Sequence, residues 1–265
     1  MQFTVVFWNI WLDTQRGGTG TSVAKKLLRS LDKIVQEHSP DCLGLNEVLV
    51  ESATNKQFVL EHLKKMGYTH QAFSYASPLS SDWGIGLALV SKHPFKKVEE
   101  IDLGPDTFAK YRGYAGYRVS ALGAAISVEG SEVNVMVAHP HALKPVALPT
   151  HWKHQRALRT AAKAPHYTQL ILGGDFNEFN HLPFSFQRRE KNHFYFRSGS
   201  ATNPTWTLNG KGSKLFRCNL DKIFWTKEES TKLLEFQVLD SSPYVDRNAD
   251  FSLNSSLTSG GELFN

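Results

Sequence analysis

The sequence predicts an α/β protein of two sheets with helices on their outer sides, and three observations carry that expectation. Apolar, β-branched runs of strand length recur along the chain and outnumber the helical patterns. The helical patterns are scattered among the strands rather than gathered at one end. The 265 residues are 41% hydrophobic and 12% aromatic, enough for a sizeable core, while 21% charged residues exclude wholesale disorder. No internal repeat, low-complexity stretch or linker divides the chain. Residues 1–257 therefore read as one domain, followed by a disordered tail over 258–265.

Taken in order, residues 3–10 form a buried strand rich in β-branched and aromatic side chains, with Asn9 near its end. Arg16-Gly17-Gly18-Thr19-Gly20 lacks the Walker lysine and the dinucleotide spacing, so it is a surface connection. Thr21 or Ser22 caps a helix in which Val23, Leu27, Leu28, Leu31, Ile34 and Val35 share a face. A strand over 42–48 ends at Asn46-Glu47, and a second helix spans 54–66 with Gly67 as its stop. Residues 84–91 are a strand broken by Lys92-His93-Pro94, whereas 95–112 show no assignable period.

Residues 117–128 and 133–138 form a hairpin whose second strand delivers His139. A helix over 151–163 precedes the strand 170–177, and 178–206 look irregular apart from the charged run Arg188-Arg189-Glu190-Lys191, a solvated helix face. After a loop at 209–213, residues 219–226 form a strand containing Asp221, and 233–239 and 251–257 are the last two strands.

Formal net charge is +5, from 30 Lys+Arg against 25 Asp+Glu, which fits a polyanionic partner without demanding one. The two cysteines, Cys42 and Cys218, form neither a metal spacing nor a disulfide framework, and Cys42 sits in an apolar run. The apolar start is too short to span a bilayer and has no basic residues before it. These features describe a soluble monomer, expected in the cytoplasm, without integral membrane association.

The chemistry centres on Leu170-Ile171-Leu172-Gly173-Gly174-Asp175-Phe176-Asn177. In an extended chain side chains alternate, so Asp175 and Asn177 share a face while Phe176 points inward. The glycines permit a turn and the close approach of a group such as a phosphate. A plain strand with an Asx-type turn explains the same residues. Asn9, Glu47, His139 and Asp221 resemble this pair in lying at or near a strand end, or alone within an apolar strand. Singly, each has an ordinary explanation as a turn cap, rim carboxylate, core histidine or salt-bridge partner. Together, Glu47 and Asn9 offer hard oxygen ligands for Mg²⁺, which binds few protein groups and keeps several waters. Asp175 could orient or deprotonate an attacking water, Asn177 hold it or a phosphoryl oxygen, and His139 stabilise developing charge.

Trp8-Asn9-Ile10, Asn46-Glu47, the run from Gly84-Ile85-Gly86 to Lys92-His93-Pro94, Ala138-His139, Gly174-Asp175-Phe176-Asn177 and Leu220-Asp221-Lys222-Ile223-Phe224 follow one another in a familiar order. In these motifs, and in Arg156 on the preceding helix, the chain resembles the endonuclease/exonuclease/phosphatase superfamily over residues 3–226. That superfamily includes DNase-like nucleases, apurinic endonucleases, tyrosyl-DNA phosphodiesterases, sphingomyelinases and inositol-polyphosphate phosphatases.

The resemblance implies a four-layer α/β/β/α sandwich of two mixed sheets, a Mg²⁺ or Mn²⁺ cofactor, and hydrolysis of a phosphodiester or phosphomonoester by water. It makes Glu47 a metal ligand with Asn9 beside it and adds Asp250. It sets His139 at the phosphate, Asp175 and Asn177 as the nucleophile- and phosphate-handling pair, and Asp221 as the partner of a catalytic histidine. Arg112, Lys211, Lys214 and Arg217 are candidate substrate contacts, and nucleic acid is slightly favoured on charge. A lipid substrate would want an exposed apolar hairpin, for which Leu182-Pro183-Phe184-Ser185-Phe186 is the candidate.

One departure is serious. The family's last motif is Ser-Asp-His, but the last histidine here is His193, and the nearest match is Ala249-Asp250-Phe251-Ser252-Leu253. Loss of such an imidazole typically costs on the order of 10²–10⁴ in rate. An impaired member that binds a phosphorylated ligand or a partner protein is therefore the alternative.

Overall fold

A computed structural model describes residues 2–10, 21–51, 54–55, 57–78, 83–105, 117–140, 148–177, 185–198, 206–210, 213–218 and 221–227. Strands β1 (Val5–Asn9) and β2 (Cys42–Glu51) pair in parallel, the crossover between them carrying helix α1 (Thr21–His38). After α2 (Phe58–Lys65), β3 (His70–Pro78) and β4 (Trp83–Ser91) complete a four-stranded sheet in the order β1-β2-β4-β3. The second sheet is built from β5 (Phe95–Pro105), β6 (Arg118–Val128), β7 (Ser131–Ala138), β8 (Leu170–Asp175), β9 (Phe194–Ser198) and β12 (Asp221–Thr226). Its order is β5-β6-β7-β8-β12-β9, with α3 (Leu148–Ala162) in the parallel β7–β8 crossover and α4 (Phe186–Glu190) before β9. A separate hairpin, β10 (Trp206–Gly210) with β11 (Ser213–Cys218), leads into β12.

Alternating strand faces divide the buried side chains into three layers. Leu43, Leu45, Ala88 and Val90 of the first sheet pack with Leu27, Leu31, Leu60 and Leu63 of α1 and α2. Leu87 and Leu89 meet Leu122, Ala124, Val135 and Val137 between the sheets. On the far face, Ala121, Met136, Leu170 and Leu172 pack with Leu158, Ala162 and Phe186 of α3 and α4. Three apolar layers between four structural ones make the α/β/β/α sandwich.

Between the sheets Phe7 stands over two glycines. A Cβ on Gly44 would lie 2.5 Å from its ring, and one on Gly173 of the opposite sheet 2.3 Å from it. The absence of side chains there lets the sheets close around the ring at the mouth of the site.

Several elements differ from the sequence expectation. β5 occupies part of the stretch without a period, because register slips at Phe95/Lys97 and Asp102/Gly104 interrupt its alternation and it is an edge strand studded with charge. β3, unassigned from sequence, carries a comparable slip at Tyr75/Ser77. Within 178–206, α4 and β9 are regular. Of the expected loop 209–213, Asn209 and Gly210 belong to β10 and Ser213 to β11, and 211–212 lie outside the described residues. The α2 helix starts at Phe58 rather than 54, after Asn55 at φ 54°. The charged run is not wholly solvated, since Glu190 is buried and ion-paired with Arg159 at 3.5 Å and Lys163 at 3.2 Å. The expected strands 233–239 and 251–257, and the tail, lie outside the described residues.

Candidate active site

On β2, Leu43 and Leu45 face the helices, and strict alternation would turn Glu47 the same way. It does not, because the β2–β4 register slips between Leu45 and Val48, and Glu47 takes φ 59°. One residue is inserted into the alternation, so Val48 returns to the helix-facing core while Asn46 and Glu47 both serve the opposite side. Asn9, at the end of β1 and paired with Asn46, lies on the inter-sheet face with Val5 and Phe7. From there its Nδ2 donates to Glu47 Oε1 at 3.2 Å and to Asp175 Oδ2 at 3.1 Å.

Phe176 is fully buried against Phe186 and Phe224, which sends Asp175 and Asn177 to the other side. Asn177 adopts φ 49° and donates its backbone N–H to Asp175 Oδ1 at 2.8 Å, an Asx-type turn. Its Nδ2 donates to the Pro140 carbonyl at 3.0 Å, tying this turn to the end of β7. His139, at that same end, brings Nε2 to 3.4 Å from Glu47 Oε1 and 4.0 Å from Asp175 Oδ2. Asn9 and Glu47 from one sheet thus meet His139 and Asp175 from the other, with Asn177 anchored beside them.

The double glycine makes room for contacts within the protein. Gly174 sits at φ 131°, and a Cβ there would lie 2.3 Å from the Ala138 carbonyl oxygen and 2.8 Å from Asn46 Oδ1. Asn46, fully buried, uses that space. It donates from Nδ2 to the Ala138 carbonyl at 3.2 Å and accepts the Asp175 N–H on Oδ1 at 3.0 Å. The sequence reading passed over Asn46 as half of a motif; its place in a strand otherwise apolar up to Leu45 was the available signal.

Burial pushes the Glu47 carboxyl above its ordinary range, the His139 imidazole and the Asn9 hydrogen bond pull it back, and Asp175 pushes it up further. Its Oε2 is buried without a hydrogen-bond partner. A buried carboxylate oxygen left in this way, beside a second carboxylate and an amide, suits a hard divalent cation that brings its own waters. Among the described residues, no three His, Cys, Asp or Glu side chains form a metal cage by themselves. The oxygen donors here, Glu47, Asp175 and the Asn9 amide, are of the kind hard cations take.

The profile of the Endonuclease/Exonuclease/phosphatase family matches residues 6–241, most of the chain. The chain belongs to that family. Solved structures share the family's fold. A Staphylococcus aureus beta toxin β-hairpin deletion mutant is 18% identical with TM-score 0.67, over 98% of this chain and 99% of that one. The endonuclease/exonuclease/phosphatase from Beutenbergia cavernae is 18% identical with TM-score 0.62 over 85% of this chain, which spans only 64% of that protein's length. D. rerio TDP2 complexed with a single-strand DNA product is 17% identical with TM-score 0.56, over 87% and 86%. No curated protein sequence matches the chain significantly.

Of the remaining family-implied residues, Asp221 pairs with Asp175 across β12 and β8, so its backbone stands at the site end of the second sheet. Lys214 and Arg217 lie on β11, opposite Asn209 and Thr207. Arg112, Lys211 and Asp250 lie outside the described residues. Arg156, aligned with the family helix, is exposed. Its neighbour Gln155 is the buried one, donating to the Phe176 carbonyl at 3.3 Å beneath the Asp175 turn. Lys222, which the sequence reading did not single out, is also buried there, its Nζ 5.9 Å from the centre of the Phe176 ring. The signal in the sequence was its position ahead of the apolar run Ile223-Phe224-Trp225. Phe186 is buried in the aromatic core and cannot serve as a membrane-facing tip, and Leu182, Pro183 and Phe184 lie outside the described residues. No helix among the described residues is long and apolar enough to cross a membrane.

Proposed function

We propose that this chain is a divalent-metal-dependent phosphoesterase that hydrolyses a phosphodiester or phosphomonoester by attack of water. One observation carries the reading: Asn9, His139 and Asp175, from the ends of three strands, converge with Glu47 from the bulge of a fourth, while Glu47 Oε2 is buried without a partner. Glu47 and Asn9, with Asp250, would hold Mg²⁺ or Mn²⁺, which supplies Lewis-acid stabilisation of charge on a phosphoryl oxygen. Asp175, oriented by Asn9 on one oxygen and the Asn177 N–H on the other, is the group assigned to align the water and take its proton. His139 is the group assigned to offset charge developing on the phosphoryl group. One hydrogen of the Asn177 amide is engaged by Pro140, and the second is the donor assigned to a phosphoryl oxygen.

Nucleic acid is the favoured substrate class, on the net charge of +5 and on the basic residues Lys211, Lys214 and Arg217 that precede Asp221 in the sequence. The family spans endonucleases, exonucleases and phosphatases, and its TDP2 relative is solved with a DNA product. The deciding assay follows turnover of bis-p-nitrophenyl phosphate, DNA, nucleotides and a phospholipid with Mg²⁺ or Mn²⁺. Activity that chelator and Glu47→Ala abolish is expected, and metal-independent turnover would overturn the reading. DNA affinity should fall steeply between low and high salt.

The second reading, a family member that binds phosphorylated ligands or a protein partner without efficient turnover, is favoured by Ala249-Asp250-Phe251, the stretch most like the family's Ser-Asp-His motif, which has Phe251 in the histidine's place. His193 adjoins Phe194, which pairs with Thr226 at the end of β12 remote from Asp221, roughly 17 Å along the strand. It cannot replace the missing histidine. Mn²⁺ binding without turnover, with activity gained when histidine is placed at position 251, would decide for this reading.

A further inference from the structure

Asn46 makes bonds one peptide away from each of three side chains at the site. Glu47 follows it in sequence, the N–H it accepts is Asp175's own, and the carbonyl it donates to belongs to Ala138, the residue before His139. Both bonds run from the first sheet to the second, one received from β8 and one given to β7. Asn9 also bridges the sheets, but its bonds end on the carboxylates a cation would claim. The bonds of Asn46 end on backbone, out of the cation's reach. Only a primary amide offers a donor and an acceptor on one short planar head; aspartate lacks the donor and leucine lacks both. Gly174 leaves room for that head, since any Cβ there would strike both Asn46 Oδ1 and the carbonyl it serves.

We propose that Asn46 is the positioning residue that sets the separation of the two halves of the site, holding Glu47 of one sheet at a fixed reach from Asp175 and His139 of the other. The inference rests on the phosphoesterase reading, because the separation matters when one cation must be shared.

The test uses the full chain with Asn46→Ala, Gly174→Ala and, as a control buried amide in β7 away from the site, Asn134→Ala. Mn²⁺ affinity is measured by titration calorimetry without substrate, folding by circular dichroism with a thermal scan, and turnover on bis-p-nitrophenyl phosphate. Asn46→Ala and Gly174→Ala are expected to bind Mn²⁺ about 10–100-fold more weakly, as partners behind metal ligands do. Their kcat should fall on the order of 100-fold with KM nearly unchanged, because the loss is of alignment. Asn134→Ala should bind Mn²⁺ as the wild type does.

Folded Asn46→Ala with wild-type Mn²⁺ affinity would overturn the inference alone. A wild-type chain that neither binds Mn²⁺ nor turns over substrate would overturn the functional reading and the inference with it. Loss of a cooperative thermal transition in both site variants would also overturn the inference, by making the amide a determinant of the fold before the site. Weakened Mn²⁺ binding in the control would do the same.

Discussion

Glu47 is held by two opposing demands. Its carboxylate is buried, which disfavours the charge, yet the proposed function needs that charge. With the folded pKa raised, the stability tied to this group is present below the ordinary glutamate range and is lost as pH rises through the folded value. Metal-free Glu47→Gln should therefore melt at a higher temperature than the wild type near neutral pH, with the gain shrinking toward about pH 4. Thermal scans in chelator at both pH values check this, and an equal gain at the two would refute it. Cys42 gives a second prediction. It is fully buried, and desolvation, with the Asp41 charge behind it, raises its thiol far above the ordinary range. Native protein should leave Cys42 unlabelled by a thiol reagent, as peptide mapping would show, until denaturant exposes it.

At the scale of elements, Phe7 is packed closely between Gly44 and Gly173 near the site. Gly173→Ala should destabilise by about 1–3 kcal/mol, the usual cost of overpacking, and Phe7→Leu should recover part of that loss. Denaturant titration of the two single variants and the double variant measures the coupling, and strict additivity would argue against the wedge. The elements also show how far the sequence could be read. Strands with clean alternation or continuous apolar runs, such as β4, β6, β7 and β8, were visible because burial on one or both faces dictates their residues. β3 and β5 were hidden by register slips and by the charge their exposed positions tolerate. The same effect hid the geometry of Glu47. Its residue type and neighbourhood marked it as a candidate, but the bulge that turns it toward Asn9 depends on pairing with β4, a long-range contact with no local signature. Asn9, His139 and Asp175 were legible because each interrupts or ends an apolar run on a predictable face.

For the molecule as a whole, a cation shared by the two sheets should brace them. Millimolar Mg²⁺ or Mn²⁺ should raise the melting temperature of the wild type, by about 2.7 kcal/mol in stability at a hundred times the dissociation constant. Glu47→Ala should abolish the shift, and its persistence would place the cation elsewhere. Among the described residues, the first sheet is made from residues 5–91 and the second from residues 95–226, so Asn9 and Glu47 arrive in one stretch of chain and His139 and Asp175 in another. A nascent polypeptide that has emerged only as far as β4 carries Glu47 without Asp175 or His139, which are still to be made. On the proposed function, capture of an ion would follow the synthesis and docking of the later strands against the first sheet.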